Sequence, residues 1–94
     1  VPLDLPVIQP PAIYLAAPTR VVTETILPAP DVARICLERS VAHRFAAPPP
    51  GKQFLGCSVM FLKRCDVVRI DREDVRVHEL GHCSGWPADH PGGR

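Results

Sequence analysis

The stretch Asp71-Arg72-Glu73-Asp74-Val75-Arg76-Val77-His78-Glu79-Leu80-Gly81-His82-Cys83-Ser84-Gly85 decides how this chain is read. Asp71 is placed to cap a helix, and Glu73 and Asp74 fall in its first turn, where carboxylates complement the positive end of the helix dipole. Gly85 stands where helices commonly end in a left-handed residue, and Pro87 cannot continue the turn. Between these limits His78 and His82 are four residues apart, so at about 3.6 residues per turn both imidazoles lie on one face and can reach one metal ion. Glu79 lies roughly 100° around the helix, beside such an ion rather than on it. A carboxylate there can take a proton from a zinc-bound water, whose pKa the metal lowers to about 7. With 4 His and four Glu in 94 residues, chance produces this pattern about once in a hundred chains, so its context has to carry weight.

Upstream of that helix, residues 54–62 and 65–70 form two short apolar runs separated by Lys63-Arg64, which reads as a hairpin. Before it, Asp31 is expected to cap a helix running to about Phe45, with Val32, Ile35 and Cys36 on its apolar stripe and Pro48-Pro49-Pro50-Gly51 as its stop. Seven prolines within residues 1–30 rule out a helix there and predict an extended arm. Within the arm, Ile13-Tyr14-Leu15 and residues 20–26 are suited to short strands at a sheet edge. The expected organisation is therefore an arm over 1–30 and a metal-binding domain over 31–94. A proline-rich arm beside a small cleft also suggests a latent form, in which removing residues 1–30 raises activity.

At 94 residues the chain is near the size at which a hydrophobic core alone gives marginal stability. Its four cysteines offer reinforcement, and an even count in a short chain is typical of an oxidising compartment. With no CxxC pair, a cysteine-rich zinc ribbon is not expected. The first residue, Val1, suggests a mature, processed protein, and together these features predict a secreted or periplasmic location. Of the three possible pairings, Cys57–Cys65, closing the hairpin, and Cys36–Cys83, joining the two helices, are the expected set. A net charge of +1 gives no footprint for nucleic acid, no apolar run is long enough to span a bilayer, and the absence of Asn excludes N-glycosylation. Arg69, Arg72 and Arg76 read as a solvated face and His43 as an ordinary surface residue.

A catalytic zinc usually has three protein ligands and an open position. Within these 94 residues no Glu follows Gly85, so the neighbours Asp89 and His90 are the candidates for the third ligand. At His78, Glu79, His82 and Gly85 the chain resembles the zincin peptidases, and within them the metzincins. The resemblance covers roughly the last twenty residues. The metzincin third-ligand position is occupied by Ala88, which cannot bind metal, and no downstream Met-turn follows. In the short snapalysin-like variants the third ligand is an Asp in a Gly-x-x-Asp-His arrangement, and residues 85–90 are similar with one residue inserted. If Asp89 takes that role, His90 is an outer group. If the turn is one residue longer, His90 binds zinc and Asp89 orients an imidazole. His90 is preferred because neutral imidazole is a good zinc ligand and the loop between Pro87 and Pro91 can absorb the extra residue. Residues 81–87 are also similar to the tail of small bacterial exported proteins with no assigned activity.

The resemblance implies an α+β, minimal zincin-like domain with a backing helix, a small sheet or hairpin, and a metal helix, reinforced by disulfides. It implies a zinc-dependent peptidase with His78, His82 and His90 on the metal and Glu79 as the base, acting as a monomer on a peptide or protein. The alternatives are a non-enzymatic secreted module whose structural zinc is closed by both Asp89 and His90, and an inactive zincin descendant. Trp86 is expected to anchor the last helix to the core more than to wall the site. Cys83, pointing about 100° away from His82, reads as a disulfide partner rather than a nucleophile. Gly81 removes a side chain where another segment can approach. No oxyanion-stabilising residue is evident, and the place of Tyr14 in the fold is open.

Overall fold

In the computed structural model, residues 7–94 are described; the opening of the arm, including Pro2 and Pro6, lies outside them. A single 3-10 turn, Ala12–Tyr14, precedes strand β1 (Val21–Ile26), helix α1 (Ala29–His43), strands β2 (Gly56–Met60) and β3 (Arg64–Arg69), and helix α2 (Glu73–Cys83). The fold is a small α+β unit with a three-stranded mixed sheet in the order β1-β3-β2. The two apolar runs do form an antiparallel pair, with Gly56 opposite Arg69 and Met60 opposite Cys65. β1 runs parallel to β3 along its whole length, Val21 opposite Arg64 through Ile26 opposite Arg69. Residues 21–26, read from the sequence as part of the arm, therefore form one edge of the sheet.

Side chains alternate between the faces of a strand, and this parity places the helices on opposite sides of the sheet. Cys57 and Val68 share one face, where the Cys36–Cys57 disulfide attaches α1. Val32, Cys36, Cys57 and Val68 are buried together there. Ser58, Cys65 and Val67 point to the other face, where Cys65–Cys83 and a Ser58–Glu79 hydrogen bond attach α2. Gly56 permits the close approach of α2 to β2, since a Cβ there would lie 3.0 Å from Val75 Cγ1 and 3.1 Å from Glu79 Cγ.

The same parity corrects the expected disulfides. The bridges are Cys36–Cys57 and Cys65–Cys83, not Cys57–Cys65 and Cys36–Cys83. Cys57 stands opposite Val68, three residues from Cys65, so the two hairpin cysteines project from opposite faces. Likewise Cys36 and Cys83 are held on helices with the sheet between them.

Four local expectations also differ. Helix α1 begins at Ala29 rather than after Asp31, because Pro30 is tolerated in a first turn whose N–H groups have no intrahelical partner. It ends at His43, where Arg44 takes a left-handed conformation, φ 60°, and returns its N–H to Ser40 O. Helix α2 has Arg72, not Asp71, at its N-cap. Ile13-Tyr14-Leu15 is not a strand, because Tyr14 and Leu15 bond back to the carbonyls of Pro11 and Ala12. Arg69 is not part of a solvated face: it is buried, with Nε 3.0 Å from Glu24 Oε1 and a second bond to Ile70 O. No helix among the described residues is long and apolar enough to cross a membrane.

Candidate metal centre

Helix α2 presents His78 and His82 one turn apart, and a compact reversal brings the following segment back to them. Trp86 N–H bonds to Gly81 O and Gly85 N–H to His82 O, each at 3.0 Å, with Gly85 at φ 104°. This is a Schellman ending, in which a glycine takes the left-handed position at little steric cost. A further turn closes where His90 N–H meets Pro87 O. His90 itself is left-handed, φ 58°, a conformation uncommon for a residue with a side chain.

The result is a triangle of imidazole nitrogens. The Nε2 atoms are separated by 3.2 Å for His78 and His82, 3.1 Å for His82 and His90, and 3.2 Å for His78 and His90. Nδ1 of His78 lies 2.7 Å from Ile8 O, and Nδ1 of His82 lies 2.8 Å from Trp86 O. A carbonyl oxygen can only accept, so both Nδ1 atoms carry the proton. In neutral imidazole that leaves Nε2 of each with a lone pair directed into the triangle. Burial disfavours protonation that would relieve this crowding. It pushes the pKa of His82 down to about 4 and lowers those of His78 and His90, against smaller opposing effects of the carbonyls on His82 and His78 and of Asp89 on His90.

These three residues can hold a metal ion, and their geometry suits one. Tetrahedral zinc with nitrogens at about 2.0–2.1 Å has ligand edges of about 3.3–3.4 Å, close to those of the triangle. Asp89 is exposed and stands outside the cluster, and Ala88 is exposed as well. His90, rather than Asp89, is thus the residue brought to His78 and His82, and the described residues place no fourth ligand beside them.

All three rings line a cleft of roughly 800 Å³ together with Glu79 and Ser58. Glu79 is only 6% exposed. Burial pushes its pKa up to about 7, with the Ser58 hydroxyl, 2.8 Å from Oε1, pulling the other way. Phe45, Phe54, Met60 and Val75 supply apolar stretches of the same cleft wall. Trp86 is 1% exposed and lines the cleft, packed against the histidines and the tail and outside both core clusters. Its indole N–H bonds to Pro91 O, and its ring stacks on His82 at 4.9 Å between centroids.

Sequence reasoning missed Ser58 and the carbonyls of Ile8 and Trp86. Ser58 would follow once the pleat is known, being between two inward cysteine and valine positions and so on the α2 face. Any residue has a carbonyl, so nothing in the sequence singles out Ile8. Tyr14 does not line the cleft and His43 is exposed, its ring edge-on to Phe61. Compared with known proteins, the chain matches no protein-family model, no curated protein and no solved structure.

Proposed function

We propose that His78, His82 and His90 bind zinc and that the cleft hydrolyses peptide bonds, with Glu79 as the general base. The observation that carries this reading is the convergence of three Nε2 atoms, two with lone pairs set inward by backbone carbonyls, in the same cleft as a buried carboxylate poised near neutrality. Bound there, zinc lowers the pKa of water to about 7 and polarises a carbonyl oxygen. Glu79 accepts the proton of the attacking water at a carboxylate oxygen and delivers it to the departing amine, a role suited to a group whose pKa lies near the working pH. Ser58 holds that carboxylate in place.

The edge of β2 remote from β3 carries no strand among the described residues, and Gly56 and Ser58 of β2 line the cleft. An extended peptide adds to this edge by main-chain hydrogen bonds, which brings one of its carbonyls to the site. The two disulfides agree with an exported protein. One feature favours a non-enzymatic zinc module instead: Glu79 is almost fully buried and engaged by Ser58.

Elemental analysis of the purified protein and a peptide-library digest of wild type and Glu79→Ala test the proposal. Bound zinc with cleavage lost in the variant is expected. Bound zinc without cleavage, or cleavage indifferent to Glu79, overturns the enzyme reading, and absence of metal overturns both zinc readings.

A further inference from the structure

Residues 8–11 run as a strap between α2 and the tail that carries His90. Two backbone bonds pair the strap with the chain end: Gln9 N–H to Arg94 O at 2.9 Å and Arg94 N–H to Gln9 O at 3.0 Å. The Gln9 side-chain amide donates to Asp74 O on α2 at 3.1 Å. The two prolines occupy notches left by glycines. A Cβ on Gly81 would stand 2.7 Å from Pro10 Cγ, and one on Gly92 would stand 2.9 Å from Pro11 Cγ. The strap is therefore fitted to α2 on one side and to the tail on the other.

Its most consequential contact is the carbonyl of Ile8 on His78 Nδ1. Such an outer partner fixes the tautomer and ring orientation of a metal-binding histidine and makes its free nitrogen more basic. His82 obtains the same service locally, from Trp86 four residues on. His78 obtains it from a residue 70 positions away. His90 is carried by a segment whose far end is paired with Gln9. Two members of the triangle thus depend on the strap, and one does not.

We propose that the strap is a positioning element of the metal centre, through the Ile8 carbonyl on His78 and the Gln9–Arg94 pairing that holds the His90 tail, so that metal binding and strap docking reinforce each other. The inference rests on the metal-binding reading of the cluster and not on peptidase activity. It runs opposite to the latent-form expectation, because lifting the arm disables the site rather than uncovering it. Thermodynamic linkage makes the coupling reciprocal: a strap that tightens metal binding is itself tightened by metal.

The test uses the full chain and zinc chloride. Pro10→Gly loosens the strap without altering α2 and is the primary variant. Gly81→Ala drives a methyl group into Pro10 while raising helix propensity, but also brings it 3.3 Å from the Trp86 ring, so it is read beside Pro10→Gly and not alone. Pro18→Gly, outside the strap, is the control for added chain entropy. Chelator competition is expected to show zinc affinity reduced about 10- to 100-fold in both strap variants, the range seen when outer partners of metal ligands are removed, and unchanged in the control. Side-chain ¹⁵N spectra are expected to show His78 losing its Nδ1–H tautomer in those variants while His82 keeps its own. In the wild type, zinc is expected to slow exchange of the Gln9 and Arg94 amides. Equal zinc affinity in strap variants and wild type, with the His78 tautomer unchanged, overturns the strap inference alone, as does amide exchange indifferent to zinc. A wild-type chain that binds no zinc overturns the metal reading and the strap inference together.

Discussion

His82 and Cys83 are adjacent in α2 yet belong to two differently built regions. On the Cys83 side the helix is cross-linked to β3 and buried against Val67. On the His82 side it faces a strap and its own returning tail, neither fastened by a disulfide but held by hydrogen bonds and proline rings in glycine notches. One side is anchored irrespective of ligand; the other brings three imidazole nitrogens to a common point, two of them with inward lone pairs that a cation can bridge. The difference suggests a division of labour, in which the disulfide side holds the frame and the histidine side carries function.

The largest effect expected is on the frame. Each disulfide typically contributes about 2–4 kcal/mol, comparable with much of the roughly 5–15 kcal/mol that holds a small domain together. Paired Cys65→Ser and Cys83→Ser substitution should lower stability by about that amount in denaturant melts, with metal binding declining alongside it. If the pair can be removed at no cost, the two sides of α2 are not different in kind.

Next comes the site without the frame. His82→Ala should abolish measurable zinc binding in calorimetry while both disulfides and the circular dichroism spectrum persist. Unfolding of this variant in an oxidised, metal-free buffer would break the comparison, since the histidine side would then also be frame.

Glu79→Gln should retain zinc and lose peptide cleavage by about 10²- to 10⁴-fold, the contribution usual for a general base. It also has a metal-free signature. Because the Glu79 pKa is raised from 4.5 to about 7, the folded state holds a proton that the unfolded state has released between those values. Its stabilising contribution is fully present below pH 4.5 and is lost as pH rises through about 7. Replacing the carboxyl with an amide should flatten that decline, as melts from pH 4 to 8 will show. The histidines act in the opposite sense: their lowered pKa values give a contribution present above about 6.5 and lost as pH falls toward 4.

The smallest effect expected is at the border. Trp86→Phe keeps an aromatic ring but removes the bond to Pro91 O, at a cost of about 1 kcal/mol. Zinc affinity should fall only a few-fold in the same calorimetric assay.

Legibility in the sequence divided along similar lines. The α2 pattern, the two runs of the hairpin and the edge strand at residues 20–26 could be read because each depends on local periodicity. The helix N-caps shifted by three residues and by one, with Pro28 and Arg72 standing where Asp31 and Asp71 were expected. The disulfide pairing was not legible, since it depends on strand register: a slip of one residue between β2 and β3 would set Cys57 and Cys65 on the same face. His78 and His82 declared themselves by their spacing. His90 could be narrowed to a pair with Asp89, and the left-handed turn that distinguishes them is a property of the folded loop. The strap's part in the site was out of reach, because its effective atom is a main-chain oxygen far away in sequence. Gly81 had signalled a close approach without showing that the approaching group would be Pro10.

Trp86 is the only tryptophan in the chain, and its ring lies 4.9–5.1 Å from the rings of His78, His82 and His90. The molecule consequently carries its own optical reporter. Indole emission responds to neighbouring charge and to water, and here a single fluorophore, shielded from solvent, adjoins every member of the triangle. Ion capture, imidazolium formation and loosening of the tail should each leave a separate trace in one emission spectrum, with no label attached.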